Sequence, residues 1–177
     1  KYLVDEDELI QRQLGETYKK LAQSYKRLKN REQTAHFYTK ALEVYSNLGD
    51  LKLMARTLNT LAEAHRYLDN LVLALDYSTR ALEIHKDIDD PVGFAKALLG
   101  AGIIYRHINL YEKSLEHINE AYLYYKKVNN MLGIAKTSNQ MGLVYTRLRQ
   151  LDQAEFFYQI TIDLPKGMVE EKTLASA

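Results

Sequence analysis

The chain has no cysteine, which excludes a disulfide, a thiolate nucleophile and a thiolate metal site. It has no tryptophan and only four phenylalanines, against fourteen tyrosines. Two prolines and eight glycines leave long helices unbroken, and no linker-like stretch occurs before residue 165. No apolar run reaches the roughly 18 residues that a membrane-spanning helix needs. The opening residues show no leader pattern. With the missing cysteines, this makes a cytoplasmic setting the expectation. The net charge of +1 gives no overall pull toward nucleic acid or membrane, so any electrostatic preference must come from where the charges sit. What remains is a chain with 46% apolar residues, enough to build a core.

The sequence repeats every 40 residues. One column reads Leu21, Leu61, Ala101, Met141, and the next reads Ala22, Ala62, Gly102, Gly142. Three residues further on come Tyr25, His65, Tyr105 and Tyr145, followed by Leu28, Leu68, Ile108 and Leu148. A second cluster holds Thr34, Ala74, Ser114 and Ala154, then Ala41, Ala81, Ala121 and Thr161. Self-similarity at such a period means stacked supersecondary units.

Each unit reads as two helices. In the second unit Met54, Ala55, Leu58, Leu61, Ala62, His65 and Leu68 recur at steps of three and four, the spacing of one helix face. The second helix runs from about Leu71 to Ile88, with Leu71, Ala74, Leu75, Leu82 and Ile84 expected inside. Asp69-Asn70 marks the turn within the unit and Asp89-Asp90-Pro91 the turn to the next. Asp90 suits an N-cap and Pro91 the first helical position. Glycine inside a helix costs up to ~1 kcal/mol against alanine, so Gly102 and Gly142 point to close helix contact. Large residues at Leu21, Leu61 and Met141 are expected to fill the gaps beside that small column.

These motifs resemble the tetratricopeptide repeat. The family's first-helix signature appears as Leu58-x-x-Leu61-Ala62-x-x-His65, as Leu98-x-x-Ala101-Gly102-x-x-Tyr105 and as Tyr18-x-x-Leu21-Ala22-x-x-Tyr25. Its second-helix signature appears as Ala154-x-x-x-Tyr158 and Thr34-x-x-x-Tyr38-x-x-Ala41. Ser78 and Ser138 stand where the family has large residues. The usual period is 34, and the six extra residues lengthen the paired helices by ~9 Å in total. The longer period looks like that of bacterial signalling proteins, cell-polarity adaptors and kinesin light chains. The resemblance implies an all-α fold, an α-solenoid of about four helix-turn-helix repeats in a right-handed superhelix. The expected organisation is a single array over residues 1–177, with repeats at about 11–50, 51–90, 91–130 and 131–164. Residues 165–177 are expected to open a fifth repeat or form a capping helix, because Glu170 and Ala175 continue the columns of Asp90 and Ala95. Lys1–Val4 reads as the tail of an earlier helix, so a fragment of a longer array is the expectation.

In such arrays the first helices line the concave face. Five columns fall on their side away from the core: Glu16, Arg56, Lys96, Lys136; Lys19, Asn59, Leu99, Asn139; Gln23, Glu63, Ile103, Leu143; Lys26, Arg66, Arg106, Thr146; and Arg27, Tyr67, His107, Arg147. Steps of three and four put them on one stripe. The stripe is basic although the chain is nearly neutral. The expectation is a groove for an acidic peptide, with Lys19, Arg56, Arg66, Lys96, Arg106, Lys136 and Arg147 meeting carboxylates. Asn59 and Asn139 can donate and accept toward peptide backbone. Leu99, Ile103 and Leu143 would form an apolar floor, or pack against a neighbouring helix. A solvated stripe is the competing reading, since cations near helix C-termini gain ~0.3–1 kcal/mol from the helix dipole unaided.

Signals for catalysis are weak. Gly100-Ala101-Gly102 lacks the third glycine and the strand of a dinucleotide loop. The five histidines form no helix-spaced metal pair, and His65 reads as a packed residue of a tyrosine column. His117 and Glu120 read as a solvated pair, and the Asp5–Glu8 run as helix N-terminal charge. No catalytic residue, metal or cofactor is therefore expected. The favoured function is a non-catalytic protein- or peptide-binding scaffold within a larger signalling or regulatory protein. The alternative is a sensory module controlling an attached diguanylate cyclase, kinase or DNA-binding domain. Nucleic-acid binding ranks lower, because the stripe offers few stacking aromatics beyond Tyr67. Self-association through uncovered array ends is also expected.

Overall fold

The computed structural model describes residues 6–164, and within them the chain forms eight helices. They are α1 (Glu6–Arg27), α2 (Arg31–Asn47), α3 (Leu51–Tyr67), α4 (Leu71–Asp87), α5 (Pro91–His107), α6 (Tyr111–Lys127), α7 (Met131–Arg147) and α8 (Leu151–Asp163). The expectations for Lys1–Val4, Asp5 and residues 165–177 lie outside the described residues.

The turns explain the regularity. Lys29, Gly49, Asp69, Asp89, Asn109, Asn129 and Arg149, each twenty residues apart, all adopt left-handed backbone with φ between 51° and 65°. After each, the next N–H reaches back to a carbonyl five residues earlier, as Asp50 does to Tyr45 and Asp90 to His85. This geometry satisfies the orphan carbonyls of the ending helix and starts the next helix antiparallel to it. Asn30, Asp50, Asp90 and Asn130 then cap α2, α3, α5 and α7 by accepting the N–H of the third residue on. Pro91 occupies the first turn of α5, where its missing N–H costs nothing.

Consecutive helices pack against one another along the chain. In addition α3 touches α5 and α5 touches α7, whereas among the described residues α2, α4, α6 and α8 touch only their chain neighbours. The odd helices are therefore crowded on one side and the even helices splayed on the other. Such a stack curves toward the odd helices and leaves their outer rows on its inner face.

Packing follows volume. A Cβ on Gly102 would stand 2.5 Å from Ile118 and 3.1 Å from the Ser114 carbonyl, and one on Gly142 would stand 2.5 Å from the Tyr158 ring. Ser114 Oγ also donates to the Gly102 carbonyl at 2.7 Å, which draws α5 and α6 together. Fully buried Leu58 and Leu61 each contribute roughly 1.5–3 kcal/mol.

Two expectations are corrected. Leu21 does not fill a gap: it is 39% exposed while Leu61 and Met141 are buried. Its equivalents are covered by the preceding repeat, and among the described residues nothing precedes α1. On α4 the fully buried row is Ala74, Ser78, Ala81 and His85, while Leu71, Leu75, Leu82 and Ile84 are only half-buried. That helix lies between α3 and α5, so its centre line must be small and its larger residues flank it.

Candidate functional site on the inner face

The inner face holds a cavity of about 520 Å³. Its walls come chiefly from three odd helices: Asn59, Glu63, Arg66 and Tyr67 on α3, Lys96, Leu99, Gly100, Ile103 and Arg106 on α5, and Leu132, Lys136 and Gln140 on α7. Asn59, Arg66, Lys96, Leu99, Ile103, Arg106 and Lys136 of the expected stripe are thereby brought together. The other expected peptide contacts lie off the cavity. Lys19 is engaged with Glu16 at 2.7 Å, Arg56 and Asn139 are exposed, Leu143 is half-buried and Arg147 stands exposed at the end of α7. Leu99 is 8% exposed and joins the α5–α8 core, so it packs and forms floor at once.

The charges are uneven. Arg66, Lys96, Arg106 and Lys136 line the cavity with one carboxylate, Glu63, which is engaged by Lys26 at 2.7 Å. Among the described residues none of these four cations, nor Arg56 or Arg147, forms an ion pair. Desolvation at the wall pulls the Lys96 ammonium below its ordinary range. Glu63 opposes this, and Lys26, Arg56 and Lys136 add to it. The Arg106 guanidinium is shifted the same way, by burial first and then by Arg66 and Arg147. Its Nε is buried without a hydrogen-bond partner, as is Gln140 Oε1. Buried polar atoms left unpaired are costly.

The sequence reading missed part of this site. Ser78, Gly100, Gln140 and Tyr125 also line the cavity. The column of Ser78 reads Tyr38, Ser78, Ile118, Tyr158, and a Cβ on Gly100 would meet only Ser78 Oγ, at 4.0 Å. A missing large side chain at 78 beside a glycine at 100 leaves the space. The signal was visible as a departure from the column, but its consequence needed α4 and α5 side by side. A second cavity of about 340 Å³ adjoins, between Lys26, Lys29, Arg31 and Tyr67. There the Arg66 and Arg31 guanidiniums lie over the Tyr67 ring, 4.1 and 5.2 Å from its centre.

Another residue overlooked from sequence is His85. It is fully buried where the column otherwise has Tyr45 and Tyr125. Its Nε2 lies 3.0 Å from Asn59 Nδ2, and its Nδ1 lies 3.1 Å from Asp90 Oδ2. His65, by contrast, packs in a tilted pair with Tyr77. His117 bonds the Lys113 carbonyl of its own helix. Among the described residues no group of three or more His, Asp or Glu is placed to hold a metal, and no helix is long and apolar enough to cross a membrane.

A solenoid of helix pairs with an open inner face is the class that this fold defines. Residues 13–87 match the tetratricopeptide repeat family. Those residues are tetratricopeptide repeats, and the helix pairs that follow repeat the same 40-residue form. Solved structures agree over most of the chain's length. BtubC (BKLC) from P. vanneervenii is 21% identical with a TM-score of 0.79, covering 89% of this chain and 65% of that one. The Rap conjugation gene regulator of the plasmid pLS20, solved with the Phr* peptide, is 18% identical with a TM-score of 0.75, covering 84% and 41%. A STAND signal transduction ATPase with a tetratricopeptide repeat sensor, from Pyrococcus horikoshii, is 25% identical with a TM-score of 0.70, covering 81% and 22%. The chain thus spans less than two thirds of each of these structures. No curated protein matches it in sequence.

Proposed function

We propose that this chain is a non-catalytic interaction scaffold whose inner face binds an acidic peptide segment, extended or helical. The fold supports the coarse part, since tetratricopeptide arrays present such faces to proteins. One observation carries the finer part: the inner face gathers cations without ion-pair partners around a cavity whose one acidic side chain is already engaged. Carboxylates of a partner would pair with Arg56, Arg66, Lys96, Arg106, Lys136 and Arg147, and Leu99 and Ile103 would take its apolar side chains. Asn59 supplies an amide for the peptide backbone. Lys19, Asn139 and Leu143 belong to the same stripe as outer contacts. The Rap regulator, a likeness in fold, was solved with a peptide, which agrees with this use of the architecture.

A second reading is favoured by another likeness. The STAND signal transduction ATPase carries its tetratricopeptide repeats as a sensor. On that reading the scaffold reports peptide capture to an attached output domain.

The test is a triple variant, Arg56→Glu, Lys96→Glu and Arg106→Glu, assayed by fluorescence anisotropy with a labelled glutamate-rich peptide. Wild-type protein should bind with an affinity that falls as salt rises, and the variant should lose capture while keeping its helical circular dichroism. Unchanged capture would reject the groove. Binding of single-stranded RNA with a steep salt slope, and none of the peptide, would give the face to nucleic acid.

A further inference from the structure

On α2, α4 and α6 the column of Tyr45, His85 and Tyr125 reaches from the outer layer toward the inner face. Tyr45, at one such position, donates its hydroxyl to Glu16 Oε1 on α1 at 3.1 Å. Tyr125, at another, lines the cavity itself. His85, between them, meets Asn59, a cavity residue. A histidine at this place does something a tyrosine cannot: it exchanges hydrogen-bonding roles when it takes up a proton.

We propose that His85 is a positioning residue for the groove, holding the Asn59 amide with its carbonyl toward the ligand, and that protonation of the ring reverses that amide. This rests on the groove reading above. Asp90 Oδ2 stands 3.1 Å from Nδ1, out of line for a hydrogen bond, and its negative charge favours the tautomer with the proton on Nδ1. Nε2 then carries a lone pair and accepts from Asn59 Nδ2. With its nitrogen turned inward, Asn59 presents its oxygen to the groove, an acceptor for a peptide N–H. When the ring is charged, Nε2 becomes a donor, so Asn59 must turn its oxygen inward and its NH₂ outward. The groove has then changed an acceptor for a donor at its centre.

The surroundings set the range in which this happens. His85 is enclosed by α3 and α5, and a Cβ on Gly93 would collide with its ring, so no water-filled space lies on that side. Asp90 favours the charged ring; burial, the largest influence, and Lys96 and Arg56 oppose it. Asp90 is itself occupied as the cap of α5, accepting the Gly93 N–H through Oδ1. The neutral state therefore holds at neutral pH, and the reversal belongs below the ordinary histidine range.

Nuclear magnetic resonance on ¹⁵N-labelled wild-type protein tests the relay without any ligand. At about pH 7.5 the His85 ring should show the Nδ1–H tautomer, and on acid titration through the ring's own midpoint the Asn59 side-chain amide should shift with that same midpoint. An Nε2–H tautomer at the start, or an Asn59 amide indifferent to the titration of His85, overturns the proposal. His85→Phe keeps a buried ring without nitrogens. It should abolish the acid-linked Asn59 shift and weaken the glutamate-rich peptide about fivefold at neutral pH. A folded His85→Phe protein that binds as wild type also overturns it. If that variant does not fold, the wild-type titration decides alone. Failure of wild-type protein to bind the peptide would remove the groove reading, while the ring and amide signals would still decide the relay.

Discussion

Two glycines on α5, two residues apart, should respond to the same substitution with opposite signs. Gly100 faces the cavity, and a new Cβ there would meet only Ser78 Oγ at 4.0 Å. Gly100→Ala should therefore gain most of the helix-propensity difference, about 0.5–1 kcal/mol. Gly102 faces α6, where a Cβ would stand 2.5 Å from Ile118 Cγ1 and 3.1 Å from the Ser114 carbonyl. Ile118 is fully buried and cannot swing away, and the Ser114 oxygen is backbone, so α5 and α6 must separate. Overpacking of this kind costs about 1–3 kcal/mol. Set against the same propensity gain, it leaves Gly102→Ala destabilised by up to about 2 kcal/mol. Urea unfolding followed by circular dichroism would compare the two midpoints. In a double-mutant cycle, Ile118→Ala should cost less in the Gly102→Ala background than in wild type, because the colliding atom is gone. Equal stabilisation by both alanines would refute the close approach of α5 and α6.

Stability should also depend on pH in a defined direction. Burial lowers the pKa of His85, His65 and His107 below their ordinary 6.5, so between those lowered values and about 6.5 the unfolded chain binds more protons than the folded one. Stability is then full above about pH 6.5, falls as pH drops toward the native values, and Asp90, held low chiefly by the Gly93 N–H, withdraws its share further down. A thermal midpoint that rises on acidification from neutral would contradict this. At the turns, Arg149 has φ of 59° and Lys29 has 57°, a conformation that costs an ordinary side chain about 1 kcal/mol or more. Replacing either with glycine should raise stability by a few tenths to about 1 kcal/mol after the entropy of glycine is subtracted, and Asn109→Gly should gain less. Calorimetric midpoints that fall for Arg149→Gly would refute it.

The turns, caps and helix pairs were legible in the sequence because each depends on residues close along the chain. Asp90 and Pro91 announce the start of α5 by their own chemistry, and Gly102 and Gly142 disclose close contact by being costly anywhere else in a helix. The columns forty apart showed which side chains do equivalent jobs, and with them the stripe of Arg56, Lys96 and Arg106 on the odd helices. Only the packed array decided what depends on neighbours from other units. Leu21 lies open because nothing described covers it, although it looks the same in sequence as buried Leu61. Ser78 and Gly100 leave a cavity only because α4 and α5 lie side by side, and His85 meets Asn59 and Asp90 only because α4 is enclosed between α3 and α5. Periodicity carries the identity of a position within its own helix pair. Burial, empty space and a buried hydrogen bond belong to three or more helices at once, and no single column records them.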